Sequence, residues 1–259
     1  MTVLVDDPLI TSMAIARNLP LHDSSRRLRE LYPECPRMYG VAVMSDLSRR
    51  RWWPLADAIT TERLHTMFGI AAAEMDSEVA AAHQLAATLT HVVIGRVIPL
   101  VVLEGRGWDT GLENLWVHVD SEGAIDWVAV VDPTLRVLPD DPFFDDRGEA
   151  GAAHDARDGV VRLPSEAALT TWVAHRSHRA LEPLFTKLFD ICNGAISHSS
   201  MWHIVGAAVV GAATHVPLLA RSSEVTSMRR GQAVLDALVG FGLPVRGATR
   251  PREGKGLLN

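Results

Sequence analysis

Cysteine is nearly absent from this chain of 259 residues: there are two, Cys35 and Cys192, far apart and outside any CxxC. That excludes a disulfide framework and a cysteine-rich zinc site, and two reduced thiols fit a cytoplasmic protein, the location expected here. The N-terminus lacks the basic stretch of a secretory signal, because Asp6 and Asp7 stand where cations would be needed. No Walker A loop, no GxGxxG after a strand, no HExxH and no GxSxG occurs, which removes the common nucleotide-binding, zincin and α/β-hydrolase readings. Excess positive charge is also lacking. At a net charge of −6 the molecule as a whole does not attract nucleic-acid phosphates or an anionic membrane, so neither is expected as a partner. The apolar runs 92–103 and 204–220 fall short of a usual membrane span. The first contains Arg96 and the second His215 and Pro217, and both read as buried core helices.

What the chain does have is 47% hydrophobic and 22% charged residues, enough for a sizeable core. One domain is expected over 1–259, with 1–60 an irregular N-terminal region, 132–164 a long acidic loop and 242–259 a flexible tail. Ser77 opens an Ala-rich helix expected to run to about Leu103, with Pro99 kinking or breaking it. The β-rich runs 114–119 and 125–131 flank Asp120, Ser121, Glu122 and Gly123, which predicts a hairpin. Ser165 opens a helix that Asn193 and Gly194 stop near Cys192. Ser197 opens another, to about Ala220, which Pro217 should kink or end early, and a last helix covers about 223–241. The class is α+β: mostly helical, with helices packed around a small antiparallel sheet.

Chemistry is sought where polar groups interrupt apolar helices. Arg96 and His91 do so in 89–100. A buried guanidinium must reach a carboxylate such as Glu104, backbone carbonyls, water or a ligand anion. A second cluster is Ser197, His198, Ser199, Trp202 and His203 at a predicted helix start. Free N–H groups and hydroxyls there either cap the helix or help hold an anion. Ser199 and His203 are four apart, on one face, a spacing that suits a hydroxyl assisted by imidazole. His203, His198 and Ser199 are therefore the catalytic candidates, and Arg96, His91, Trp202, Ser197 and Glu104 the substrate-binding ones. Arg49, Arg50 and Arg51 followed by Trp52 and Trp53 read as a solvated turn anchored by two indoles, or as a site for an anionic or aromatic ligand. His175 and His178 stand beside Arg176 and Arg179, which disfavours a metal cation; no metal and no cofactor is expected.

Four stretches give the chain a family likeness: 84–101, 112–119, 178–184 and 200–213, part of a pattern covering roughly half of it. Together they resemble the siderophore ferric-reductase, or FhuF-like, family. The resemblance implies helices around a small antiparallel sheet, related to the C-terminal region of siderophore synthetases. It also implies a [2Fe–2S] cluster on four cysteines near the C-terminus. Residues 245–259 contain no cysteine and no histidine follows His215, so the cluster ligands are missing and reductase activity does not carry over. The expected function is a non-redox small-molecule enzyme of specialised, natural-product metabolism acting on a polar or anionic substrate. The reaction would be an elimination or a ring-closing intramolecular substitution with an anionic leaving group, with histidine as general base. One alternative is a siderophore-binding or partner-binding subunit without catalysis, its small-residue helix 204–220 packing on a protein partner or a second copy. Another is a reductase-like protein with a different cofactor, haem or flavin, in which His91, His203 or His215 is an axial ligand.

Overall fold

The computed structural model describes residues 18–144 and 159–246. In chain order these form α1 (Pro20–Glu30), β1 (Ala42–Val43), β2 (Trp52–Pro54), α2 (Asp57–Thr60), α3 (Arg63–Glu74), α4 (Glu78–Val93), α5 (Val97–Glu104), β3 (Arg106–Gly107), β4 (Leu115–Val119), β5 (Ile125–Val130), β6 (Leu135–Val137), β7 (Val160–Arg162), α6 (Glu166–Ile191), α7 (His198–Ala220) and α8 (Glu224–Gly240). Residues 1–17 and 247–259, which include most of the expected tail, lie outside the described residues.

Serine caps start four of these helices. Ser77, Ser165, Ser197 and Ser223 each accept a hydrogen bond at Oγ from a backbone N–H three residues on, at 3.4, 3.1, 3.1 and 3.4 Å. Each cap satisfies one of the donors a helix start leaves open. Asn193 and Gly194 end α6 in the left-handed region, at φ 49° and 74°. The apolar stretch after Ser77 is two helices bent by 48°, and the break falls at Ile94–Arg96 rather than at Pro99. A Cβ on Gly95 would sit 2.2 Å from His91 Nδ1, so the close approach there requires glycine. Pro99 lies in the first turn of α5, where its missing N–H has no intrahelical acceptor to lose. Pro217 likewise leaves α7 intact to Ala220.

The strands form two sheets, one of order β1-β5-β4-β2 and one of order β3-β6-β7. Both are mixed, which corrects the expectation of a single antiparallel sheet. β4–β5 is the predicted antiparallel hairpin, but β1 pairs parallel with β5 and β6 parallel with β7. Parallel pairing needs a long connection, and the 22 residues between Val137 and Val160 supply one for β6–β7. The expected loop 132–164 therefore carries a strand near each end. Leu115, Val117, Val128 and Val130 point from β4 and β5 into the helical layer, all at 0% exposure. One expectation fails in α7. The run 204–220 is not enclosed: one third of its most apolar 18-residue window is buried, and Val210 and Leu218 are 50% and 59% exposed.

Candidate functional site

Side chains alternate across a strand, so β2, β4 and β5 carry a second set of residues away from the helices. Trp52, Trp116, His118, Trp127 and Ala129 fall on this outer face, where Trp52, Trp127, Ala42 and Ala129 form a small separate cluster. His118 pairs across the ladders with Trp52 and Trp127. Its ring centroid lies 5.3 Å from that of Trp52. Two guanidinium groups cover the neighbouring indoles: Arg37 stands 5.4 Å over Trp127 and Arg49 stands 5.4 Å over Trp116.

The β4–β5 ladder is irregular at this point. His118 pairs with Trp127 and Val119 with Ile125, which leaves Asp126 as an extra residue on β5. Such a bulge re-aims a side chain, and Asp126 Oδ1 reaches His118 Nδ1 at 2.6 Å. The other carboxylate oxygen of Asp126 takes a hydrogen bond from Arg37. The side chains are 10%, 21% and 25% exposed for His118, Asp126 and Arg37, so the group is sheltered and still reachable. With Nδ1 fixed by a carboxylate, the Nε2 of His118 hydrogen-bonds to none of the described residues. In the same cluster the indole N–H of Trp127 is buried without a partner among the described residues.

Beside this group lies the break between α4 and α5. Arg96, 3% exposed, donates to three backbone carbonyls: Gly40 at 3.1 Å, His91 at 3.2 Å and Arg37 at 3.1 Å. No described carboxylate forms a salt bridge with it, so a buried positive charge is held by carbonyl dipoles. Burial lowers the pKa of Arg96 to about 10, opposed by the attraction of Asp126 and of Cys35, so it stays charged at neutral pH. Burial, then the charge of Arg96, pushes His91 down to about 4, against a backbone hydrogen bond at Met38, and its imidazole is neutral.

The residues expected to form a site from sequence fall into three places. Arg96 and His91 come together and adjoin the Arg37–Asp126–His118 group. Glu104 is elsewhere: it accepts from Arg27 at 2.9 Å, Arg106 at 3.2 Å and Ser24 at 2.9 Å, so it is not the partner of Arg96. Ser197, His198, Ser199, Trp202 and His203 stay at the start of α7, and no hydrogen bond of Arg96 reaches them. There Ser197 caps the helix and bonds Ser200 Oγ at 2.9 Å. Ser199 and His203 are exposed and form no hydrogen bond with each other. The His198 ring lies 4.8 Å from that of Phe189. Trp202, 2% exposed, packs edge-on to His178 and Phe185 at 5.8 and 5.3 Å.

Arg37, His118 and Asp126 were not singled out from sequence. The available signal was Trp116 and His118 at strand spacing beside the Arg–Arg–Arg–Trp–Trp run, which marks a polar and aromatic outer face. The bulge that swings Asp126 onto that face has no sequence signature. Among the described residues no group of three or more His, Cys, Asp or Glu is arranged to hold a metal ion.

No protein-family model matches the chain, and no curated protein does. A solved structure does resemble it: aerobactin synthetase IucC from a hypervirulent pathotype of Klebsiella pneumoniae, at a TM-score of 0.50 and 14% sequence identity. The match covers 71% of this chain and 31% of the synthetase, so the chain corresponds to about a third of that protein's length. At this identity the likeness concerns the fold alone: the α+β architecture described above is one that part of a synthetase shares.

Proposed function

We propose that this chain is a non-redox small-molecule enzyme of specialised, siderophore-related metabolism on a FhuF-like scaffold, with His118 as its general base. The observation that carries the reading is the 2.6 Å contact of His118 Nδ1 with Asp126, which fixes the ring and leaves Nε2 as the proton acceptor. Arg37 at the rim and the buried charge of Arg96 make the surroundings cationic, suited to an anionic leaving group. In a ring-closing substitution His118 Nε2 takes the proton of the substrate's internal nucleophile. The nucleophile bonds to carbon, and the bond to the leaving oxygen breaks with its electron pair going to the anion. The kinship with siderophore synthetases implied by the sequence resemblance agrees with a fold shared with a synthetase.

The start of α7 is the competing location, with His203, His198 and Ser199 as its groups. Alkyl sulfate and phosphate esters that carry an internal amine or hydroxyl, with products followed by mass spectrometry, separate the two. Turnover that falls about 10²–10⁴-fold in His118→Gln and in Asp126→Asn, and is kept in His203→Ala, supports the reading. Turnover kept in His118→Gln sinks it.

One observation favours a second reading, a partner-binding subunit. Helix α7 contains no Asp, Glu, Lys or Arg in 23 residues, yet one third of its most apolar window is buried and Val210 and Leu218 stand exposed. A helix face on the surface of a monomer ordinarily carries charge. A protein that sediments as a monomer and shows no turnover without a second protein would be the signature of that case.

A further inference from the structure

Trp53 follows Trp52 on β2 and so faces the other way, toward the helices, paired with Val117. It lines a groove of about 470 Å³ between α3 and the β4–β5 hairpin, with Asp57, Glu62, Arg63, Met67, Ile70 and Val119 among its walls. That volume is in the range of small-molecule sites. At one end the hairpin turn closes on α3: a Cβ on Gly123 would meet Ile70 Cδ1 at 3.2 Å.

The groove already holds an organic cation, one supplied by the chain itself. The Arg63 guanidinium stands 4.8 Å over the Trp53 ring, within the reach of a cation–π contact. It is held loosely. Its nearest carboxylate, Asp57, is 3.8 Å from Nε, too long for a hydrogen bond, and the Arg63 side chain is 47% exposed. Glu62 adds a second carboxylate, itself only 3.4 Å from His65 Nδ1 on the solvent side. Beneath, Trp53 is 6% exposed and its indole N–H is buried without an acceptor among the described residues.

We infer that this groove is a binding site for an aliphatic primary amine, whose ammonium takes the place of Arg63 on the face of Trp53. The carboxylates of Asp57 and Glu62 flank the charge, and the alkyl chain lies along Met67, Ile70 and Val119. An anion is disfavoured, because the two carboxylates outnumber the one cation among the residues that line the groove. The site is on the opposite face of the sheet from His118 and does not depend on the role given to that residue.

The test is an NMR titration of the full chain with n-pentylammonium, n-pentanol and n-pentanoate, read at the indole N–H of Trp53 and at neighbouring amides. The ammonium should bind, and the alcohol and carboxylate should bind at least about tenfold more weakly. Arg63→Ala removes the internal competitor and should tighten amine binding by about three- to tenfold. Asp57→Asn with Glu62→Gln should weaken it by about tenfold; both side chains are substantially exposed, at 34% and 83%, so the fold is kept. Equal binding of the three probes, or an Arg63→Ala variant no tighter than the parent, overturns the inference.

Discussion

The two faces of the four-stranded sheet are built from the same strands and have opposite characters. Toward the helices, Leu115, Val117, Val128 and Val130 are sealed at 0% exposure, and Trp53 is the residue there with a polar atom. On the other side, Trp52, Trp116, His118 and Trp127 are joined by Arg37, Arg49 and the bulged Asp126. Adjacent residues therefore answer to different demands. Leu115 and Val117 are explained by packing, whereas His118 between them and Val119 is a titratable ring whose orientation is fixed by a carboxylate. A stability measurement and an activity measurement should separate the two faces.

The largest effect is expected where the outer site meets the core. Arg96→Met removes the buried cation and leaves the carbonyls of Gly40 and Arg37 without their donor, while His91 keeps the Gly95 N–H at 3.0 Å. Urea unfolding should show a loss of about 3–5 kcal/mol. On the sealed face, Leu115→Ala should cost about 2–5 kcal/mol in the same experiment, through lost burial and the cavity left behind.

His91 gives a pH dependence with a defined sign. Its folded pKa of about 4 lies below its ordinary 6.5, so above pH 6.5 the ring is neutral in both states and its contribution is fully present. As pH falls from 6.5 toward 4 the unfolded chain binds the proton more readily, and stability drops by about 3 kcal/mol. Replacing His91 by Gln should flatten that part of the pH–stability curve.

On the outer face the changes in stability should be small. His118→Gln is expected to move the unfolding free energy by no more than about 1 kcal/mol, while turnover falls about 10²–10⁴-fold. If His118→Gln destabilises as much as Leu115→Ala, the contrast between the faces is lost. Arg49→Ala, which removes an exposed guanidinium from Trp116, should cost about 0.5–1 kcal/mol and marks the lower end of the scale.

Much of the local structure was legible. The serine caps, the Asn193–Gly194 stop and the 120–123 hairpin loop all act over three to five residues, so sequence spacing exposes them. Gly95 was harder to read. It looks like one small residue in an apolar helix, but it follows the end of α4 where a Cβ would meet the His91 side chain one turn back. The site was legible in part. Arg96 and His91 stood out as polar groups in an apolar run, and they do adjoin a polar centre. The residues completing that centre come from the 37–40 segment, β4 and β5, far away in the chain. Glu104 looked equally available to Arg96 and is instead taken by Arg27 and Arg106.

By itself the sequence determined the class, the serine-capped helix starts, the hairpin and the absence of cysteine from residues 245–259, because composition and caps are properties of the chain alone. Only the tertiary structure decided that the sheets are mixed, that α7 shows an uncharged face to the outside, and that Asp126 reaches His118. Those depend on which distant segments pair and on a single extra residue in one ladder, and neither is marked by any local stretch.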